Sequence, residues 1–252
     1  MSTEQPALTR LDAEVLAHVI YAVTNAQLNL YPYPHFYVRN VFPADFYADL
    51  VRRVHAETDY HEEPGRYHGR QFGNEALVTQ IDGLQGLMTK AFAKAVMSRF
   101  SKQLEAQHQR KDFAAYYDLR FIRDGKGYFI GPHTDAPWKL VSLLFYLPLY
   151  CMYEQYGTSI YLPNDPTATC AGGPHYEFEG FTRAYTAPYL PNTLLGFLKT
   201  DKAFHGVPVI DKDFQRDVLL YNLYDKLIYE QTHKPVSNAA TDEQPATSTP
   251  ET

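Results

Sequence analysis

This chain of 252 residues has little cysteine, only one tryptophan and no surplus of basic charge. Two cysteines do not make a disulfide framework, so Cys151 and Cys170 are expected to be reduced, with Cys151 most simply a core residue at the end of a strand. A net charge of −6 leaves no basic excess to displace counterions from a phosphate backbone, which makes nucleic acid an unlikely partner. No window approaches the ~20 apolar residues that cross a bilayer, and the start, MSTEQPALTRLDAEV, has no apolar signal core; a soluble, cytoplasmic protein is expected. What the chain has in quantity is aromatic: 21 Tyr and 15 Phe. That favours strands over a helical bundle.

The order of patterns is helices first, strands later. Leu11, Val15, Leu16, Val19, Ile20 and Val23 recur at helical spacing within residues 9 to 29, with Thr9 as the N-cap. A turn and short strand follow, carrying His35, which reads as structural or exposed. Pro43 and Ala44 open a second helix to about Ala56, and residues 57 to 75 read as a charged loop. Residues 84 to 107 form a third helical stretch with a stripe of Leu84, Leu87, Met88, Phe92, Val96 and Phe100. From 113 the chain becomes strands separated by Gly and Pro, at 115 to 122, 128 to 130, 140 to 147, 158 to 162, 175 to 178, 193 to 198 and 218 to 224. Seven short strands without β-α alternation predict an α+β, mainly β protein, a sandwich or jelly roll with N-terminal helices packed on it. The expected organisation is one domain over residues 1 to 233, a helical leader at 9 to 112 and a β core at 113 to 229. Residues 234 to 252, rich in Pro, Thr and Ser, read as a disordered tail.

The chemistry concentrates between Tyr116 and Pro148, where His133 and Asp135 stand one residue apart among Gly and Pro and before an unbroken apolar run. In an extended strand such residues share a face. An imidazole and a carboxylate there are two thirds of the facial set that holds Fe(II) with positions left open. Two rival pairs, His61-Glu62-Glu63 and His175-Tyr176-Glu177, lack that following strand. The third ligand has to be another histidine, and His205 follows a strand-like run, with Arg216 at the start of the next strand. Bland readings stand beside these: a turn cap for Asp135, a satisfied core histidine for His205, and a surface ion pair of Arg216 with Asp213 or Asp217.

The motifs GPHTD, SLLFYLP, AFHGV and QRDVLLYNLY, in that order, resemble the Fe(II)/2-oxoglutarate-dependent dioxygenases, particularly the branch similar to prolyl hydroxylases. The resemblance implies a double-stranded β-helix over roughly residues 113 to 225, iron held by His133, Asp135 and His205, and 2-oxoglutarate and O2 as cosubstrates. It also implies that Arg216 clamps the distal carboxylate of 2-oxoglutarate. Prolyl hydroxylases proper usually have Lys in that role, and the Arg-x-Ser variant is not matched, since Val218 stands at the second position. The implied reaction is hydroxylation of an unactivated C–H bond in a small molecule or an amino-acid or peptidyl substrate; related halogenases have a small residue where Asp135 stands. Tyr128 and Tyr146 are candidates to donate a hydroxyl to the cosubstrate. Arg120 is a candidate substrate contact, expected to share a strand face with Arg123, and so are Trp138 and Lys139. Two other functions fit the residues: a non-catalytic jelly-roll binding module, and a cupin-like metalloenzyme that does not use 2-oxoglutarate.

Overall fold

A computed structural model describes residues 7–63 and 68–233; the tail expected at 234 to 252 lies outside them. The elements run α1 (Arg10–Asn25), β1 (His35–Arg39), α2 (Ala44–Ala56), β2 (Tyr60–His61), β3 (Arg70–Gly73), α3 (Glu75–Gln80), α4 (Lys90–Arg99), α5 (Ser101–His108), β4 (Ala115–Asp124), β5 (Ile130–His133), β6 (Lys139–Tyr146), β7 (Ser159–Pro163), β8 (Phe181–Thr186), β9 (Thr193–Leu198), β10 (His205–Val207), β11 (Arg216–Asp225) and α6 (Lys226–Thr232). Two antiparallel sheets form: a seven-stranded one in the order β1-β9-β6-β11-β4-β3-β2 and a four-stranded one in the order β5-β10-β7-β8. Most strands adjacent in space, such as β4 and β11 or β5 and β10, are far apart in sequence, as in a jelly roll, although the described residues form no closed barrel.

The large sheet has two faces of opposite character, and the alternation along each strand is the cause. Odd positions, Leu119 and Phe121 of β4, Leu143 and Phe145 of β6, and Leu219, Tyr221 and Leu223 of β11, are buried in one cluster with Val15 and Val19 of α1, Leu50 of α2 and Phe92 and Val96 of α4. Each fully buried side chain of this size contributes about 1.5–3 kcal/mol. Even positions of the same strands face the other way and line a cavity between the two sheets. The helices therefore cover one face of the sheet, and the cavity lies on the reverse.

Thr9 caps α1 as expected, its hydroxyl accepting from the Asp12 amide while the Asp12 carboxylate accepts from the Thr9 amide. That carboxylate also accepts from the amides of Gly83 and Gln85, which fastens α1 to the turn before α4. His35 is buried, with Nδ1 against the Tyr33 carbonyl at 2.8 Å, a structural histidine.

Several expectations are corrected. The stretch 57 to 75 holds β2 and β3, which extend the large sheet beyond β4, so the leader supplies strands as well as helices. At two and four residues they are too short to carry an alternation to read. Residues 84 to 107 are a 3-10 turn and two helices divided at Phe100. The segment 175 to 178 is not a strand; the chain pairs slightly later, as β8. Arg120 and Arg123 lie three apart and so on opposite faces. Cys151 is exposed; both cysteines are free.

Candidate metal and cosubstrate site

His133 closes β5 and His205 opens β10, and the two strands pair with these residues directly opposite each other. Their rings lie 4.3 Å apart between centroids. Such an approach needs Gly206, because a Cβ there would stand 2.5 Å from the Ile130 carbonyl of β5. Asp135 sits two residues past β5, in the loop that crosses to β6, so strand alternation alone does not bring it to His133. Donor atoms of His133, Asp135 and His205 all lie within 4.8 Å of one another.

The histidines are anchored alike. Nδ1 of His133 is 2.9 Å from the Gly131 carbonyl, and Nδ1 of His205 is 2.9 Å from the Ala203 carbonyl. A carbonyl only accepts, so each Nδ1 carries the proton and each Nε2 is left with its lone pair, the tautomer a metal requires. Burial pushes both imidazoles below their ordinary value, His133 furthest, with the charge of His205 adding to the effect. Burial alone would raise the Asp135 carboxyl. The Lys139 ammonium, the two histidines and the Ser142 hydroxyl outweigh it and hold that carboxyl well below the usual range. Two neutral imidazoles and one carboxylate are the donor set that suits ferrous iron, so these residues fit the metal.

The directions of these shifts predict the pH response. A metal ligand must be deprotonated, and histidines whose folded values are lowered stay neutral until the pH falls below 6.5, the ordinary imidazole value. Affinity for a divalent cation, read by Co(II) titration at a series of pH values, should hold down to 6.5 and fall only below it. A midpoint above 6.5 would contradict the burial argument. Fold stability shares the sign, because unfolding lets these histidines take up protons: it is lost as the pH drops below 6.5.

The cavity beside the three residues has a volume of about 220 Å³. Its floor is the inner face of the large sheet, ordered in rows by register. At one end Arg70, Asp124 and Arg216 stand side by side on β3, β4 and β11. Phe72, Ile122 and Val218 form the next row, and Leu144 and Leu220 extend the apolar middle. Asp118, Asn222 and Ser142 make a polar row towards the other end, where Ser142 donates to Asp135 at 2.6 Å. A larger groove of about 830 Å³ lies between α4, α5 and β4 but contains none of the metal-capable cluster.

Arg216 is 1% exposed and lines the cavity. It pairs with neither Asp213 nor Asp217. Its Nε donates to the Tyr156 carbonyl at 2.7 Å, one terminal nitrogen to Asp124 Oδ2 at 2.7 Å and the other to Thr158 Oγ1 at 3.2 Å. Each terminal nitrogen carries a second N–H beyond these bonds.

The structure distributes the remaining candidates unevenly. Tyr128 lines the cavity with Arg70 over its ring at 4.4 Å. Tyr146 is buried behind Arg216, its hydroxyl accepting from the Thr158 amide at 2.9 Å, and is not among the lining residues. Lys139 lines the cavity and donates to Asp135 at 2.9 Å. Arg120 lines the cavity beside Asp118 and Glu63. Trp138 is outside, packed edge-on against Tyr229 and His233. Sequence reasoning missed Arg70 and Asp124, and it set aside His175, whose ring packs 4.6 Å from that of His133. The loop bearing His175 is seated on β5 by the Tyr176 amide donating to the Pro132 carbonyl at 2.9 Å. The glycine of GPHTD makes room for it: a Cβ on Gly131 would stand 2.1 Å from the Tyr176 carbonyl.

No family model matches the sequence, and no curated protein matches it significantly. Solved structures do. A prolyl hydroxylase from Trichoplax adhaerens, in complex with a hypoxia inducible factor oxygen degradation domain peptide fragment, superposes with a TM-score of 0.54 at 13% identity, covering 89% of this chain and 94% of that one. The non-heme alpha ketoglutarate dependent epimerase SnoN from nogalamycin biosynthesis gives 0.51 at 14% identity, covering 83% of each chain. At these identities the likeness is one of fold: the chain is a double-stranded β-helix built like a prolyl hydroxylase and a 2-oxoglutarate-dependent epimerase.

Proposed function

We propose that this protein is an Fe(II)- and 2-oxoglutarate-dependent oxygenase that hydroxylates an unactivated C–H bond of a small molecule or an amino-acid or peptidyl substrate. One observation carries the reading: two histidines with Nδ1 protonated and one ionised carboxylate converge at the wall of a cavity that also holds a buried arginine. His133, Asp135 and His205 would hold the iron, leaving the cavity side open for cosubstrate. Bound iron and 2-oxoglutarate would supply the oxidising chemistry, with release of succinate and CO2.

The chain's own residues do the positioning. The Gly131 and Ala203 carbonyls fix the histidine tautomers, and Ser142 and Lys139 orient the Asp135 carboxylate. Arg216 presents a planar pair of N–H groups to a distal carboxylate, with Thr158 and Tyr156 preventing its rotation. Phe72, Ile122, Val218 and Leu220 exclude water from the middle of the cavity, which strengthens the electrostatic contacts at both ends. Both fold relatives act on substrates, one bound to a peptide fragment and one an epimerase, and they support an enzyme rather than a binding module.

The Arg216–Asp124 ion pair favours a second reading, a cupin-like metalloenzyme that does not use 2-oxoglutarate, because the guanidinium already has a carboxylate partner. Succinate release separates the two. With Fe(II), ascorbate and 2-oxoglutarate, wild type should convert 2-oxoglutarate to succinate, and Asp135→Ala should fall to the level of free iron. Equal turnover in both proteins would remove the assignment.

A further inference from the structure

A cavity built to take a dicarboxylate needs a positive charge at the end remote from the metal, yet Arg216 shares that end with a buried carboxylate. Asp124 is 0% exposed and faces Arg216 directly in register. Left alone, the pair would be nearly neutral and a poor anchor for a second anion. The third member of the row alters the balance. Arg70 of β3 reaches Asp124 from the other side, Nε to Oδ1 at 2.6 Å and a terminal nitrogen to Oδ2 at 3.0 Å, a bidentate fork. Arg216 takes only Oδ2, through one nitrogen. Two guanidiniums thus share one carboxylate, so the three side chains together carry one net positive charge at the wall that Arg216 lines. Arg70 is held in place by stacking on Tyr128, and its side chain is 14% exposed, so the charge is only lightly screened.

We propose that Arg70 is a positioning residue for the acidic cosubstrate: by occupying Asp124 it leaves the charge of Arg216 uncompensated, and so sets the affinity of the site for the distal carboxylate of a 2-oxo dicarboxylate. The proposal rests on the reading of Arg216 given above. It also gives the leader a function, since β3 lies outside the span of the sequence resemblance.

The test is calorimetric titration of the full chain loaded with Ni(II), using 2-oxoglutarate and, as control, 2-oxopentanoate, which has the same chain length without the second carboxylate. Arg70→Met should weaken 2-oxoglutarate about tenfold, as expected for loss of one neighbouring charge in a partly dry site, and leave 2-oxopentanoate unchanged. Arg70→Lys, which keeps the charge, should retain most of the affinity. Arg70→Met combined with Asp124→Asn should restore most of it by removing the carboxylate that Arg70 had occupied. If the double variant binds as weakly as Arg70→Met, Arg70 acts through shape and the proposal fails. If Arg70→Met binds normally while Arg216→Met does not, the proposal alone fails. If Arg216→Met also binds normally, the reading of Arg216 fails with it. Equal weakening of both ligands by Arg70→Met would indicate general damage and would also overturn the proposal, with the melting temperature of each variant recorded alongside.

Discussion

Replacing His205 with alanine is expected to abolish divalent-cation binding and leave the fold in place. The residue is buried, its Nδ1 is anchored to Ala203, and its Nε2 completes a cluster that His133 and Asp135 cannot form alone. Loss of an outer hydrogen-bond partner typically costs a metal site about 10–100-fold in affinity. Loss of a direct ligand should therefore exceed about a hundredfold, read as Co(II) or Ni(II) binding, with succinate formation falling to background. The fold should survive because β10 keeps its backbone pairing with β5 and β7, and Phe197, whose ring lies 4.5 Å from that of His205, borders only a small vacancy. A variant that binds metal within a few fold of wild type would show that the three side chains are neighbours without being ligands.

The second large effect concerns stability. Arg123 lies on the helix side of β4 and satisfies three acceptors: the Asp217 carboxylate at 2.7 and 3.2 Å, the Glu57 carbonyl at 2.9 Å and the Val54 carbonyl at 2.7 Å. The two carbonyls end α2, so one guanidinium both caps that helix and neutralises a fully buried carboxylate. Burial already drives the Asp217 carboxyl above its ordinary value, with Arg123 opposing the shift. Arg123→Met leaves the carboxylate without its main counter-charge, and breaking such a pair costs about 3–5 kcal/mol. Urea unfolding should show that loss. Adding Asp217→Asn should return much of it, since the uncompensated charge dominates the penalty. A loss below about 1 kcal/mol would mean that His55, 3.4 Å from Asp217, compensates alone.

How far the sequence foretold these sites depends on separation along the chain. His133 and Asp135 stand together, and His205 and Arg216 each precede or open a strand, so type and order were enough to find them. The charge partners were not legible. Asp124 lies 54 residues from Arg70 and 92 from Arg216, and Arg123 lies 94 from Asp217. Only strand register joins them, and register is not written in local composition. The bland alternative for Arg216, a surface ion pair with Asp213 or Asp217, named neighbours in sequence, whereas the structure pairs it with Asp124 across the sheet. His175 was passed over because no strand-like run follows it; a loop packed back on β5 brings it to His133. The same limit explains the leader, whose helical periodicity was plain while β2 and β3, short and charged, resembled solvated loop.

The seam between leader and core near residue 113 is therefore a boundary of composition only. β3 pairs with β4 through Arg70, Gln71 and Phe72, and β1 pairs with β9 from Thr193 to Phe197. A chain trimmed to the β-rich half would bare both flanks of the large sheet, inviting other chains to pair there, and would discard one of the three charges at the far wall of the cavity. The cavity between the sheets thus extends, through Arg70 and Phe72, into the part of the chain that looks most like packing.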